Sequence, residues 1–330
     1  MAKGRFDNPV VAALNGFYDL FRGQKLADRL KDTDRFDGKT VLVTGANSGL
    51  GFALSVEAAK RGGHVIMACR RQIPEAGEKA KELSGSDNIE MRYLDLSKID
   101  TIHEFCDGLK KDGITLDVTV LNAASAAPKA RKTPSGLDEL FLVNYFCNFI
   151  LTNLLLNQRI IEIDPDKQPR ILFISSDSHQ GSTNVDYKEF GKYFEYGVSK
   201  AISNYSYFKF VLNTFATELS RKLNNGQINA QVNAICPGPV NTNIIKETPF
   251  LIRLALRAIF TIIFRKPSKA ALPVIYMASS DDYTNRTNEY LHMFNPKEMD
   301  EKVYDEAEGK KLWEESAKLW KKVDERALDV

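Results

Sequence analysis

Four cysteines, four histidines and two tryptophans in 330 residues leave little room for several kinds of chemistry. Cys69, Cys106, Cys147 and Cys236 are scattered, with no paired spacing and no Cys/His cluster of metal-ligand type. That argues against a disulfide framework or a metal centre, so the thiols read as buried side chains in a reducing compartment. An excess of one charge is missing too. Against 45 basic residues stand 43 acidic ones, and no basic block points to nucleic acid. No stretch reads as long and apolar enough to span a bilayer. The opening "MAKGRFDNPVVAALNGFYDLF" lacks the unbroken apolar core of a secretory signal, so a cytoplasmic location is expected. Repeats and low-complexity segments are absent.

What is present is alternation. "KTVLVTG", "HVIMACR", "IEMRYLDL", "LDVTVLNAA", "PRILFISS" and "INAQVNAICPG" read as six buried strands. Helical patterns fill the gaps, among them "LGFALSVEAAKRG", "IDTIHEFCDGLKK" and "SNYSYFKFVLNTFATELSRKL". Strands alternating with helices of this length predict an α/β fold: one doubly wound, Rossmann-type parallel sheet flanked by helices. No linker divides the chain. The expected organisation is an amphipathic extension over residues 1–36 and one domain over 37–330, ending in a helical segment, 298–330.

"VTGANSGLG" follows the first strand and opens a helix. Gly45, Gly49 and Gly51 would let the backbone approach a pyrophosphate at the helix N-terminus, with Asn47, Ser48 and Leu50 filling out the turn. At the end of the second strand the sequence reads "MACRRQ". An acidic residue there would select NAD, whereas Arg70, with Arg71, suits the 2′-phosphate of NADP(H), and no carboxylate competes. Asp95 and Leu96 end the third strand, where Asp95 could accept from an adenine amino group. Asn122 and Ala123 end the fourth, beside the expected dinucleotide.

With those residues assembled, the sequence resembles the short-chain dehydrogenase/reductase family over roughly residues 37–245. Thr44, Gly45, Gly49 and Gly51 match its cofactor turn. Asn122-Ala123-Ala124 matches its N-A-G segment with alanine in place of glycine. Asn144 matches the asparagine of its proton relay and Ser176 its strand-end serine. Tyr196, Ser199 and Lys200 match its Y-x-x-S-K box, and Pro237 and Gly238 its P-G segment, with Val240 and Thr242 placed to meet the nicotinamide carboxamide. Within the family the chain looks most like the retinol dehydrogenase and protochlorophyllide reductase branch, on "HVIMACR", "YLDLS" and "KKLWEESAKLW". The resemblance implies transfer of hydride between NADP(H) and a carbonyl or alcohol. Tyr196 would be the proton donor, Lys200 would bind ribose and lower the tyrosine pKa, Ser176 would hold the carbonyl, and Asn144 would lead to solvent.

A second Tyr-x-x-x-Lys, Tyr205 to Lys209, lies nine residues further on. If both tyrosines sit on one helix, nine steps of about 100° place them on opposite sides, so both pairs cannot face one cofactor. The expectation is that Tyr196 and Lys200 share a helix face and that Tyr205 and Lys209 are packing and surface. Ser175 reads as a strand-end hydroxyl, and His179 has no role in the implied chemistry.

"PFLIRLALRAIFTIIFRKP", residues 249–267, carries Arg253, Arg257, Thr261 and Arg265 at i+4 steps on an otherwise apolar surface. Such a narrow polar stripe suits a lid over a greasy substrate or a helix in a membrane interface, so a peripheral membrane contact is expected, with a homodimer also open. The family resemblance, which places the substrate lid in this region, implies a lipophilic small-molecule substrate. Val10, Leu14, Phe17 and Phe21 line a similar face. Trp313, Ala317 and Trp320 fall on one helix face that would dock on the domain. Two alternatives stand beside the carbonyl/alcohol oxidoreductase: a light-dependent double-bond reductase resembling protochlorophyllide reductase, and a non-catalytic NADP(H)-binding regulatory protein.

Overall fold

A computed structural model describes residues 29–125, 129–180, 182, 184–238 and 266–330. The expected extension up to residue 28 and most of the 249–267 helix lie outside the described residues.

The six expected strands all form: β1 (Thr40–Thr44), β2 (His64–Cys69), β3 (Ile89–Tyr93), β4 (Val118–Leu121), β5 (Arg170–Ile174) and β6 (Gln231–Cys236). Two short ones, β7 (Tyr290–His292) and β8 (Asn295–Pro296), extend the sheet. The spatial order is β3-β2-β1-β4-β5-β6-β7-β8, parallel throughout except for the antiparallel β7–β8 pair. Strand order reverses between β1 and β4. In open α/β sheets that reversal, at the carboxyl ends of the strands, is where a ligand crevice forms.

Between the strands run α1 (Gly49–Lys60), α2 (Glu75–Ser84), α3 (Ile99–Lys111), α4 (Glu139–Asn157), α5 (Val198–Leu223), α6 (Pro267–Ser279) and α7 (Glu306–Val323). One face of the sheet packs under α3, α4, α5 and α7 around Phe146, Phe149, Phe173 and Phe215. The other packs under α1 and α6 around Val43, Leu54, Leu172 and Val274. All four cysteines are buried free thiols.

Two details of the helices differ from the sequence reading. Glu139–Asn157 is long and apolar enough to cross a membrane by length and composition, but 89% of it is buried within the protein. Its apolarity serves the core. The same helix widens to a π turn at Leu142–Phe146, a feature that often marks a functional position, and Asn144 sits in that turn.

The C-terminal helix docks as expected. Trp320 is fully buried and Trp313 nearly so, and both meet the Phe149 ring edge-on at centroid distances of 6.1 and 5.2 Å. Burying each large aromatic contributes on the order of 2–3 kcal/mol. The far end of α7 is tied down by Asp324, which accepts from the Trp320 indole and sits 2.7 Å from His103 Nε2 on α3.

Candidate active site

The turn from β1 to α1 is built for close backbone approach. Gly45 has a left-handed φ of 65°, and a Cβ there would lie 3.0 Å from the Ala123 Cα. At Gly51 a Cβ would come within 2.4 Å of the Gly45 carbonyl oxygen and 2.5 Å of Asn122 Nδ2, so only glycine fits. Asn122 buttresses the turn from below. Its amide donates to Thr44 O at 2.8 Å, while Thr44 Oγ1 accepts from the backbone N–H of Asn122 and of Ala123, both at 3.0 Å. The first N–H groups of α1, behind Ser48 and the buried Leu50, are thus presented at the strand ends. This cradle fits a dinucleotide pyrophosphate.

Arg70 and Arg71 are exposed at the end of β2. The local sequence offered Arg70 no competing carboxylate, but the fold brings one from β3's end: Asp95 Oδ1 lies 3.5 Å from Arg70 Nη1. Burial pushes the Asp95 carboxyl up, but hydrogen bonds from Ser97 and the Arg70 charge together hold it below the ordinary carboxylate value. Leu96 beside it is buried. Gln72 joins this edge, accepting a 2.8 Å hydrogen bond from Asn47 of the glycine turn. The sequence reading missed it, since nothing in the local pattern ties residue 72 to residue 47.

At the end of β5, Ser176 Oγ accepts from the N–H and hydroxyl of Ser178, at 3.3 and 2.9 Å, closing a short 3₁₀ turn. Ser175 is buried, and His179 is wholly so. Its Nδ1 lies 2.7 Å from Ser176 O, and burial lowers the imidazole pKa, which suits a neutral ring that fixes the Ser176 backbone. Pro237 and Gly238 follow β6, Gly238 with φ 83°. Val240 and Thr242 lie outside the described residues.

The two tyrosine–lysine pairs are placed differently from expectation. Helix α5 begins at Val198 with Gly197 as its N-cap, so Tyr196 lies outside the helix and the shared-face argument does not apply to it. Its hydroxyl donates to Asp138 Oδ2 at 3.0 Å. Burial and then the Asp138 carboxylate drive the Tyr196 phenol pKa well up, and the hydroxyl is already committed to that carboxylate. Lys200 is exposed.

Tyr205 and Lys209, by contrast, lie on consecutive turns of α5. Lys209 is not a surface residue: it is 2% exposed. Its Nζ donates to Ile174 O, the last carbonyl of β5, at 2.7 Å, and lies 5.6 Å from the Tyr205 ring centroid. Burial pulls the ammonium pKa down to about 8, partly offset by the neighbouring Cys147 of α4 and Cys236 of β6. Burial, followed by Cys236, raises the Tyr205 phenol. Lys209 therefore sits where β5, β6 and the π-turn helix meet, at the carboxyl edge of the sheet. Asn144 is fully buried. Its amide brackets the backbone of Ser125, donating to Ser125 O at 2.8 Å and accepting from Ser125 N at 3.1 Å.

Comparison with known proteins agrees with this architecture. The sequence pattern of the family described as short chain dehydrogenase matches residues 39–201. Mouse retinol dehydrogenase 13 is 32% identical over 289 residues, covering 86% of this chain and 84% of that protein. Human retinol dehydrogenase 14 is 31% identical over 333 residues, covering 92% and 95%. Human polyprenol dehydrogenase is 28% identical over 85% of this chain and 84% of its own length. Among solved structures, an uncharacterized protein from Mycobacterium paratuberculosis superposes with a TM-score of 0.67 at 26% identity, covering 87% of this chain and 95% of that one. A Pseudomonas aeruginosa RhlG/NADP complex has the same fold, with a TM-score of 0.61 at 20% identity, over 80% and 97%. The chain belongs to the short-chain dehydrogenase family. Within it, the sequence falls in the retinol dehydrogenase branch, and the protein is an oxidoreductase with a site for a nicotinamide cofactor.

Proposed function

We propose that the protein is an NADP(H)-dependent oxidoreductase that interconverts a carbonyl and an alcohol on a lipophilic substrate. Its proton donor is Tyr205, assisted by Lys209. The observation that carries the assignment is Lys209 itself: a fully buried ammonium hydrogen-bonded at the end of β5 and lying over the Tyr205 ring. Keeping a cation buried costs free energy that a single carbonyl hydrogen bond offsets only in part, and a tyrosine acid/base needs a cation nearby. Tyr196 spends its hydroxyl on a carboxylate, and Lys200 faces solvent.

The glycine turn would hold the cofactor, Arg70 and Arg71 would meet its 2′-phosphate, Asp95 and Leu96 its adenine, and Asn122, Ala123, Pro237 and Gly238 its nicotinamide end. When bound, it supplies or accepts the hydride. Ser176 orients the carbonyl oxygen and stabilises its developing charge. Tyr205 donates its phenolic proton to that oxygen in reduction and takes it back in oxidation. The Tyr205 phenol, raised by burial, is fully protonated at neutral pH, which is the form reduction needs. Lys209, still mostly protonated at pH 7, favours the phenolate left behind. Asn144 shapes the π turn and anchors the loop after β4.

The lipophilic substrate class is supported by the retinol and polyprenol dehydrogenases among the relatives. A cytoplasmic-side peripheral membrane contact belongs to the same proposal, and co-flotation of the full chain with liposomes tests it. For the activity, NADPH absorbance is followed with retinal, a steroid ketone and a long-chain aldehyde. No turnover on any carbonyl by a chain that binds NADPH would refute the reading.

A further inference from the structure

Tyr196 is well held for a residue outside the proposed chemistry. We propose that Tyr196 is a positioning residue: with the buried Asp138 it forms a latch that fixes residues 184–197 against the start of the helix carrying Asn144. The inference rests on the Tyr205 reading above.

Asp138 is 2% exposed and holds two partners at once. Oδ1 caps α4, accepting from Phe141 N at 3.0 Å, and Oδ2 accepts from the Tyr196 hydroxyl, also at 3.0 Å. The backbone runs alongside. Asp138 N donates to Gly191 O at 3.2 Å, Leu137 and Lys192 form an antiparallel bridge, and Ala130 N reaches Tyr196 O at 3.5 Å. A second anchor lies further back, where the Tyr187 hydroxyl donates to Glu308 Oε1 on α7 at 2.6 Å. Between them, Gly191 is so tightly packed that a Cβ would lie 2.9 Å from Leu319 and 3.0 Å from Phe141.

The latch joins parts of the site that are distant in sequence. Residues 184–197 connect the turn bearing Ser176 to the helix bearing Tyr205. On the other side, the helix that Asp138 caps carries Asn144, which brackets Ser125. Glu139, next to Asp138, accepts from Ser125 Oγ at 3.3 Å. Tyr196 therefore ties a segment flanked by two site residues to the loop following β4. Beyond the latch, Phe194 packs edge-on against Tyr196 at 5.6 Å and remains 39% exposed, an apolar surface held in place by the same bond. Removing the phenol leaves Asp138 buried with one partner fewer, and the segment gains freedom where a lipophilic substrate would lie.

The test uses Tyr196→Phe, Asp138→Ser, which keeps a capping oxygen for Phe141 N but has no second polar atom for Tyr196, and the double variant. The probe is all-trans-retinal with saturating NADPH, and Tyr205→Phe is run in parallel. Each single variant is expected to raise KM about tenfold with kcat within about threefold, and the double to do no more than either single. Hydrogen exchange of the free enzyme should show residues 184–197 and 139–146 losing protection together in both singles. An unchanged KM with unchanged exchange overturns the latch, as does strictly additive loss in the double. Loss of turnover in Tyr196→Phe, with Tyr205→Phe active, overturns both this and the Tyr205 assignment. If no variant or parent turns over retinal, the exchange result alone decides the latch.

Discussion

Replacing Lys209 by methionine removes the charge and keeps much of the side chain's length. The ammonium lies 5.6 Å from the Tyr205 ring centroid, and at an effective dielectric of about 20 a unit charge at that range contributes about 3 kcal/mol, or about two pKa units. Alcohol oxidation depends on the small phenolate population at neutral pH, so its rate at pH 7 should fall roughly 100-fold. The pH at which oxidation reaches half its maximum should rise by about two units. The assay is NADPH formation from retinol with NADP at saturation, so that weaker cofactor binding does not enter, and with circular dichroism to confirm the fold. Lys200→Met serves as the comparison and should stay within about twofold, because an exposed side chain has little to lose. A Lys209→Met enzyme with an unmoved pH profile, beside a Lys200→Met enzyme crippled 100-fold, would refute the electrostatic reasoning.

Three further outcomes follow from the same structure. Gly51→Ala should abolish dinucleotide binding, measured by NADPH fluorescence, and cost about 1–3 kcal/mol in urea unfolding, because the added methyl meets backbone and Asn122. Arg70→Ala should lower the kcat/KM preference for NADPH over NADH by roughly 10- to 100-fold, through loss of a charge-assisted contact; an unchanged ratio would remove Arg70 from the phosphate site. Lys209 also links stability to pH. Its folded pKa of about 8 lies below the ordinary lysine value of 10.5, so the unfolded chain binds the extra proton between those values. The stability contribution of this group therefore rises with pH across that window, by up to about 3 kcal/mol, and its cost is full below pH 8. Urea unfolding of parent against Lys209→Met at pH 7 and pH 10 reads the difference.

Much of this was legible in the sequence because its signals are local. A buried parallel strand is a short run of apolar residues, and Ile99–Lys111 was marked at both ends by its own amphipathic pattern. The glycine turn announces itself because backbone approach leaves no room for a Cβ at Gly51. Asp95 was legible as a third-strand-end residue of the cofactor site, but its pairing with Arg70 was not, because the two lie 25 residues apart. The choice of tyrosine depended on more distant facts. Both pairs have the same spacing, and they are separated by the helix start at Val198, by the burial of Lys209 and by the exposure of Lys200. Two local hints pointed that way. Gly197 stands inside the first motif, where a glycine favours a helix boundary. Lys209 stands inside "YFKFVL", an apolar run in which a lysine must either snorkel out or be buried for a reason. The partner that occupies Tyr196, Asp138, lies 58 residues earlier and could not be read from the motif. Short β7 and β8 offered too few residues for any periodicity to register.

In the proposed reaction Tyr205, not Tyr196, gives up the proton. Single-turnover reduction of retinal by enzyme preloaded with NADPH compares Tyr205→Phe with Tyr196→Phe directly. Tyr205→Phe should slow the step about 10³-fold with NADPH affinity nearly unchanged, while Tyr196→Phe at saturating retinal stays within about threefold of the parent. The reverse order, a Tyr196→Phe enzyme that binds NADPH but cannot turn over beside an active Tyr205→Phe, would contradict the account.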